Sequence, residues 1–217
     1  MQPLRSLSAA ELSEISASTR EHYERSAASF WRGTKDHDVS QNVAALLRHL
    51  EGNPGGAARA RILDLGCGPG RDLISFRDLG HEPTGLDGVA AFVRMAREHA
   101  GCDVWHQDLL ELDLPSAHFD GIFANAVLFH VPSQELPRVL GELRDALVAG
   151  GVLFASNPRG PDHEAWRGMR YGSYLCLPTW RAHMAAVDFV ELEHYYRPEG
   201  LPRDQQPCLA SVWRKPA

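Results

Sequence analysis

The chain has 217 residues, a formal charge of −6 and an apolar fraction of 44%, which suits one globular domain with a small appendage. The acidic balance excludes a broadly basic surface for gripping nucleic acid; no early basic-then-apolar stretch reads as a secretory signal, and the longest apolar run, around 121–131, is too short to span a bilayer. Cys67, Cys102, Cys176 and Cys208 show no CxxC pairing, which argues against zinc fingers and disulfides and for free thiols in a reducing cytoplasm.

Residues 8–31 predict a helix, because Leu12, Ile15, Thr19, Tyr23, Ala27 and Phe30 recur at three- and four-residue steps. The pattern breaks at "GTKDHD". A second helix starts near Asp38, an N-cap candidate with Gln41 three residues on, and runs through "VAALLRHL". The same N-cap explains "DHD" more simply than a metal site does, and no metal is expected. "EGNPGGAARA" reads as a flexible linker. Residues 1–60 are thus expected to form a helical lid and linker ahead of a core over 61–217.

From residue 61 strands and helices alternate. "RILDL", "EPTGLD", "CDVWHQ", "FDGIFANA" and "GVLFAS" predict five strands, with helices over 71–79, 89–100 and 133–149. This alternation predicts an α/β, Rossmann-like, doubly wound sheet. "RGPDHEAWRGMRYGSYLCLP" reads as a loop-rich insert at about 157–178, followed by a short helix, "TWRAHMAAV". "DFVELEHYY" and "CLASVWRK" are separated only by a turn-rich connection, so they predict a closing antiparallel pair.

The stretch "ILDLGCGPGRD" poses the functional question: a dinucleotide phosphate, a reactive thiol at Cys67 or another small ligand. Gly66, Gly68 and Gly70 spell GxGxG, and Arg71 stands where a dinucleotide fingerprint needs its third glycine. Asp64 would repel a pyrophosphate but can hold an ammonium group. Asp87, at the end of the second strand, can reach ribose hydroxyls. The start of the helix after Gly70 favours an anion, and a bound carboxylate would also account for Arg71 there. Cys67 as a nucleophile needs a base that the sequence does not place. Ribose, ammonium and carboxylate together are the groups of S-adenosylmethionine.

These residues resemble motif I of the class I S-adenosylmethionine-dependent methyltransferases, of the small-molecule type 11/12 kind. Asp87 matches their acidic second motif, "HQDLLELDL" the adenine segment, "FDGIFANAVLFHVP" the strand and loop bordering the methyl group, and "LVAGGVLFAS" the turn into the fifth strand. The likeness covers about 61–156. It implies a seven-stranded sheet, mostly parallel with an antiparallel last strand, and S-adenosylmethionine as cofactor. It implies Asp64, Gly66, Cys67, Gly68 and Arg71 as one part of the donor site. Asp87, Gly88, Asp108 (on the adenine amino group), Leu109, Asn125 and Tyr23 complete it.

The acceptor is less legible. No (D/N/S)PP(Y/F/W) stretch follows the fourth strand, where amino-methylating nucleic-acid enzymes carry one. The carboxylates of metal-dependent catechol enzymes and the cysteine set of arsenite enzymes are not matched. A small-molecule N, O or S acceptor is therefore expected, with no nucleic-acid or membrane partner, in a cytoplasmic monomer or homodimer. The alternatives are a metalloid or thiol methyltransferase of the tellurite-resistance type and a non-catalytic S-adenosylmethionine-binding partner protein. Trp31, His37, Phe129, Arg170 and Tyr171 are the expected substrate contacts, with Phe30, Lys35, Arg159 and Tyr174 as further wall candidates. Arg170 and Tyr171 form a candidate carboxylate clamp. His130 is the candidate base, since a near-neutral imidazole can take an acceptor proton.

Overall fold

The computed structural model describes residues 6–51 and 59–217; most of the expected linker lies outside the described residues. The strands are β1 (Arg61–Leu65), β2 (Glu82–Asp87), β3 (Val104–His106), β4 (Phe119–Asn125), β5 (Leu147–Pro158), β6 (His163–Arg167), β7 (Arg170–Tyr174), β8 (Val190–Arg197) and β9 (Cys208–Arg214). Seven of them form one sheet in the order β3-β2-β1-β4-β5-β9-β8. Neighbours pair in parallel as far as β5, and β9 runs antiparallel to both β5 and β8. The last strand of the chain therefore slots between β5 and β8, as the expected seven-stranded, Rossmann-like sheet requires.

The central strands are apolar on both faces, which marks a sheet covered on both sides. Ile62, Phe123, Phe154 and Val212 pack toward α2 (Ser40–Glu51) and α3 (Arg71–Asp78). Their neighbours Leu63, Ile122, Leu153 and Trp213 pack toward α5 (Leu136–Ala146) and α6 (Leu177–Ala185). The α4 helix (Ala90–Ala100) lies beside α3, where Leu73, Val93 and Ala96 share a cluster. Phe123 stacks on Phe154 at 4.8 Å and meets the edge of Phe76 at 5.1 Å. Burying each such ring stabilises the fold by roughly 1.5–3 kcal/mol.

The first helix, α1 (Ala9–Thr34), is longer than its pattern predicts and starts in a capping box between Ser8 and Glu11. Three local expectations need correcting. Asp38 Oδ1 accepts from the Ser40 N–H at 2.9 Å ahead of α2, but Gln41 donates to Glu199, so the second capping box does not form. The helix expected over 133–149 ends at Ala146, because Leu147 is taken into the sheet opposite Phe119. The insert read as loop is a hairpin, β6–β7, in which Arg167 opposes Arg170 and Gly168 takes the turn at φ +63°. Its strands are too polar to alternate visibly. Among the described residues no helix is long and apolar enough to cross a membrane.

Candidate active site

The C-terminal ends of the parallel strands open on a cavity of about 660 Å³. It sits where chain order reverses between β1 and β4, the position at which open α/β sheets place ligands. The glycine loop forms its floor. Gly66 and Gly68 adopt φ of +67° and +53°, a region open to glycine at little cost. A methyl group on Gly66 would lie 2.3 Å from Val127, whereas one on Gly68 would meet only Phe30 at 3.7 Å. The first glycine thus lets the loop close on the sheet, and the second keeps its cavity side clear. Beyond Gly70, the first turn of α3 carries backbone N–H groups that helical bonding leaves free.

Asp87 is fixed from both sides. Its Oδ2 accepts from Gly68 N–H and its Oδ1 from Val89 N–H, each at 2.9 Å. Burial pushes the carboxyl up to about 6, against the lowering effect of those amides. Asp108 Oδ1 accepts from Leu110 N–H at 2.9 Å; its Oδ2 accepts from Ser16 Oγ at 2.5 Å and faces the Arg20 guanidinium at 3.3 Å. Gly88, Leu109 and Asn125 line the same cavity. Asn125 links into a polar chain: it donates to Asp72 Oδ2 and accepts from Asn42, which in turn accepts from Tyr195.

Two expected donor contacts stand differently. Asp64 is only 1% exposed and does not line the cavity. By strand parity it shares the Ile62 face and sits under α3. Its Oδ2 has no hydrogen-bond partner, and burial, reinforced by the Asp72 charge, holds its carboxyl well above the usual range. Direct contact with a ligand's ammonium group is therefore not available to it. Arg71 lines the cavity, but its guanidinium forks onto Asp72 at 2.6 and 2.9 Å and donates to Thr34 O at 3.0 Å. Its charge is thus compensated within the fold, without a bound carboxylate. Cys67 is buried against Leu73 and Val93, and burial holds its thiol well above the ordinary range. It has no thiolate character with which to attack.

The upper wall is aromatic. Tyr23, Phe30 and Phe92 cluster at 5.1–5.8 Å, and Trp31 stacks on His99 at 4.6 Å. His37, Phe129, His130 and Arg170 also line the cavity. Tyr171 does not: it is 7% exposed and packs edge-on against Trp166, so the expected Arg170–Tyr171 clamp loses its second member. Lys35, Arg159 and Tyr174 lie off the cavity too. Tyr171 contributes its backbone instead. His130 Nδ1 lies 2.7 Å from Tyr171 O; a carbonyl only accepts, so Nδ1 carries the proton. Nε2 is then the acceptor for Tyr23 Oη–H at 3.0 Å, and Arg170 donates to the same Tyr23 oxygen at 3.3 Å. Burial, with a smaller effect from the Arg170 charge, pushes His130 down to about 4.

Sequence reasoning missed Ser16 and Arg20, the polar members of the α1 stripe, and the far wall of Arg197, Pro198 and Cys208. The stripe was visible through its apolar positions, and Ser16 and Arg20 continue it one turn apart. The far wall comes from the β8–β9 connection, which carries no local pattern.

Residues 62–151 match the family described as a methyltransferase domain. A trans-aconitate 2-methyltransferase of Azoarcus sp. is 38% identical over 115 residues, covering 51% of this chain and 44% of that protein. A malonyl-[acyl-carrier protein] O-methyltransferase of Enterobacter lignolyticus is 36% identical over 115 residues, covering 51% and 45%. The chain spans about half the length of these curated relatives. Among solved structures, the Burkholderia thailandensis 1,6-didemethyltoxoflavin N1-methyltransferase, crystallised with 1,6-didemethyltoxoflavin and S-adenosylhomocysteine, superposes with a TM-score of 0.78 at 22% identity. That superposition covers 99% of this chain and 94% of that one. The matched segment, the sheet order and the glycine loop agree: residues 62–151 match a methyltransferase domain, set in a fold shared with S-adenosylmethionine-dependent methyltransferases.

Proposed function

We propose that the protein moves a methyl group from S-adenosylmethionine to an N, O or S atom of a small molecule. The observation that carries this reading is Asp87, fixed by Gly68 and Val89 N–H on a cavity floor cleared at Gly68. A carboxylate so held offers its outward lone pairs to a pair of ribose hydroxyls. Asp108 meets the adenine amino group, and the free amides at the start of α3 meet the carboxylate. Asp64, behind the loop, acts on the ammonium only through intervening groups.

Bound donor supplies a methyl group on a sulfonium, already activated for in-line displacement, so alignment and water exclusion are the main tasks left to the chain. The aromatic wall of Tyr23, Phe30 and Trp31 serves water exclusion. Tyr23 is hydrogen-bonded to His130 Nε2, and an imidazole pushed down to about 4 serves to orient the Tyr23 hydroxyl beside the acceptor, not to keep the acceptor's proton. The relatives are named for trans-aconitate and malonyl-[acyl-carrier protein], and the structural neighbour for 1,6-didemethyltoxoflavin. Two of these three are free small molecules, which supports a small acceptor without choosing one. Transfer of radiolabelled methyl from the donor to a metabolite extract tests the proposal. Binding of S-adenosylhomocysteine with no transfer to any metabolite would favour the non-catalytic alternative, and tight stoichiometric binding of NAD would refute the donor assignment.

A further inference from the structure

Four arginines line the cavity, and two have their charge answered by a carboxylate: Arg20 faces Asp108 at 3.3 Å and Arg71 forks onto Asp72. Arg197, on the far wall, donates to the Asp38 carbonyl at 2.9 Å. Arg170 differs. Among the described residues no carboxylate pairs with it, although it stands beside Tyr23 and His130; its Nε, like that of Arg20, is buried with no hydrogen-bond partner. Its one hydrogen bond runs to Tyr23 Oη, and its guanidinium stands 5.7 Å from the Tyr23 ring centre. An arginine stays charged under all relevant conditions, and a partly buried charge without a counterion is a ready partner for an anion.

The side chain is also held in place rather than trailing from a loop. Residues on either side of it are pinned to α1: Ser18 Oγ donates to Met169 O at 3.0 Å, and Tyr171 N–H donates to Thr19 Oγ1 at 3.2 Å. The donor brings a second positive charge, the sulfonium, into the same cavity. A neutral or cationic acceptor would leave the Arg170 charge without a partner. An anion would answer it.

We infer that the acceptor is a small molecule bearing a carboxylate, and that Arg170 holds this group as the residue that selects for it. The inference rests on the methyl-transfer reading and names the substrate class it leaves open. A carboxylate on Arg170 anchors one end of the acceptor beside Tyr23 and His130. Phe129, whose ring centre is 3.9 Å from that of His130, offers an apolar wall to the remainder. Guanidinium matches carboxylate through paired N–H donors, and Arg170 brings its terminal nitrogens to the cavity wall beside Tyr23 Oη.

The test is calorimetry on the full chain saturated with S-adenosylhomocysteine, using benzoate and its uncharged isostere benzamide as probes. Benzoate is expected to bind at least ~10-fold more tightly than benzamide, the scale of one charge-assisted contact. Arg170→Gln should abolish that preference and leave S-adenosylhomocysteine affinity within about 2-fold, while Arg170→Lys keeps part of the preference. Unchanged S-adenosylhomocysteine binding also shows that each variant is folded. Equal binding of the two probes, failure of benzoate to bind, or a preference that survives Arg170→Gln would overturn the inference. So would a ~10-fold loss of S-adenosylhomocysteine affinity in Arg170→Gln, because Arg170 would then serve the donor's own carboxylate. If the native protein binds no S-adenosylhomocysteine at all, the methyl-transfer reading itself fails.

Discussion

Replacing Asp87 with Asn separates what this carboxylate does for the fold from what it does for the ligand. In the native protein its two oxygens accept from Gly68 and Val89 N–H, and burial raises it from an ordinary 3.8 to about 6. That shift, about two units, means the ionised form costs the fold roughly 3 kcal/mol above pH 6. Because the folded state binds this proton more tightly than the unfolded state, stability from Asp87 is greatest at low pH. It declines as pH rises from about 4 to about 6 and stays lower above that. Asn removes the charge and its cost, but its NH2 must face one of the two backbone donors, a loss of about 1–3 kcal/mol. The two effects oppose each other and are similar in size. Stability near neutral pH should therefore move by less than about 2 kcal/mol, and the decline between pH 4 and 6 should flatten.

Ligand binding has no such offset. Ribose hydroxyls that met a carboxylate lose charge-assisted bonds worth about 1.5–3 kcal/mol each, partly replaced by the amide oxygen. A net loss of about 2–3 kcal/mol weakens S-adenosylhomocysteine by about 30- to 150-fold. Denaturation curves across this pH range and calorimetry on the same samples read both quantities. A folded Asp87→Asn protein that binds S-adenosylhomocysteine within about 3-fold of the native affinity would refute the reasoning.

Because His130 is pushed down to about 4, it is neutral across the ordinary assay range, and the single-turnover rate should show no His130 inflection between roughly pH 6 and 8. An inflection near pH 6.5 that disappears in His130→Gln would show that the imidazole is not so enclosed. Cys67→Ser should retain turnover, since the thiol is buried and protonated; it should lose about 1–2 kcal/mol of stability for a hydroxyl placed among apolar neighbours, and complete loss of turnover in a folded variant would revive the nucleophile. Gly66→Ala should destabilise by about 2–4 kcal/mol, because the new methyl must displace Val127 and the backbone must keep φ at +67°; a melting temperature equal to that of the native protein would contradict the loop geometry. Deleting residues 1–36 should leave a folded core with weakened S-adenosylhomocysteine binding, read by circular dichroism and calorimetry. Native affinity in the truncated protein would show that α1 is no lid.

The sheet was legible because each central strand is a short apolar run punctuated by glycine, and the glycine loop because GxGxG after such a run has few other uses. Strand ends were less so: Leu147 reads equally well as helix or strand, and only its pairing opposite Phe119 decides. The β6–β7 hairpin was hidden by its charge, since "HEAWR" and "RYGSY" do not alternate. Asp64 shows a different limit. Its position before the glycines is plain from sequence, but whether it faces a ligand or the underside of α3 depends on one step of strand parity.

The largest gap concerns α1, and the reason lies in how it is attached. Over its 26 residues only Ile15, Thr19 and Ala27 are buried, so apolar area alone holds it weakly. Its polar anchors include Ser16 on Asp108, Thr19 on Tyr171 N–H, Tyr23 on His130, and Glu24 on Ala91 N–H at the start of α4. Three of these four reach the cavity wall or the hairpin strand that carries Arg170. An apolar stripe in the sequence announces that a helix docks, but it cannot say that the docking bonds are the site. Here the bonds that close α1 also orient Asp108, fix the hairpin beside Arg170 and present Tyr23 to His130. We propose that α1 acts as a lid: docking it would then also assemble the candidate active site, and its few buried residues would let it be released and remade at moderate free-energy cost as ligands enter and leave.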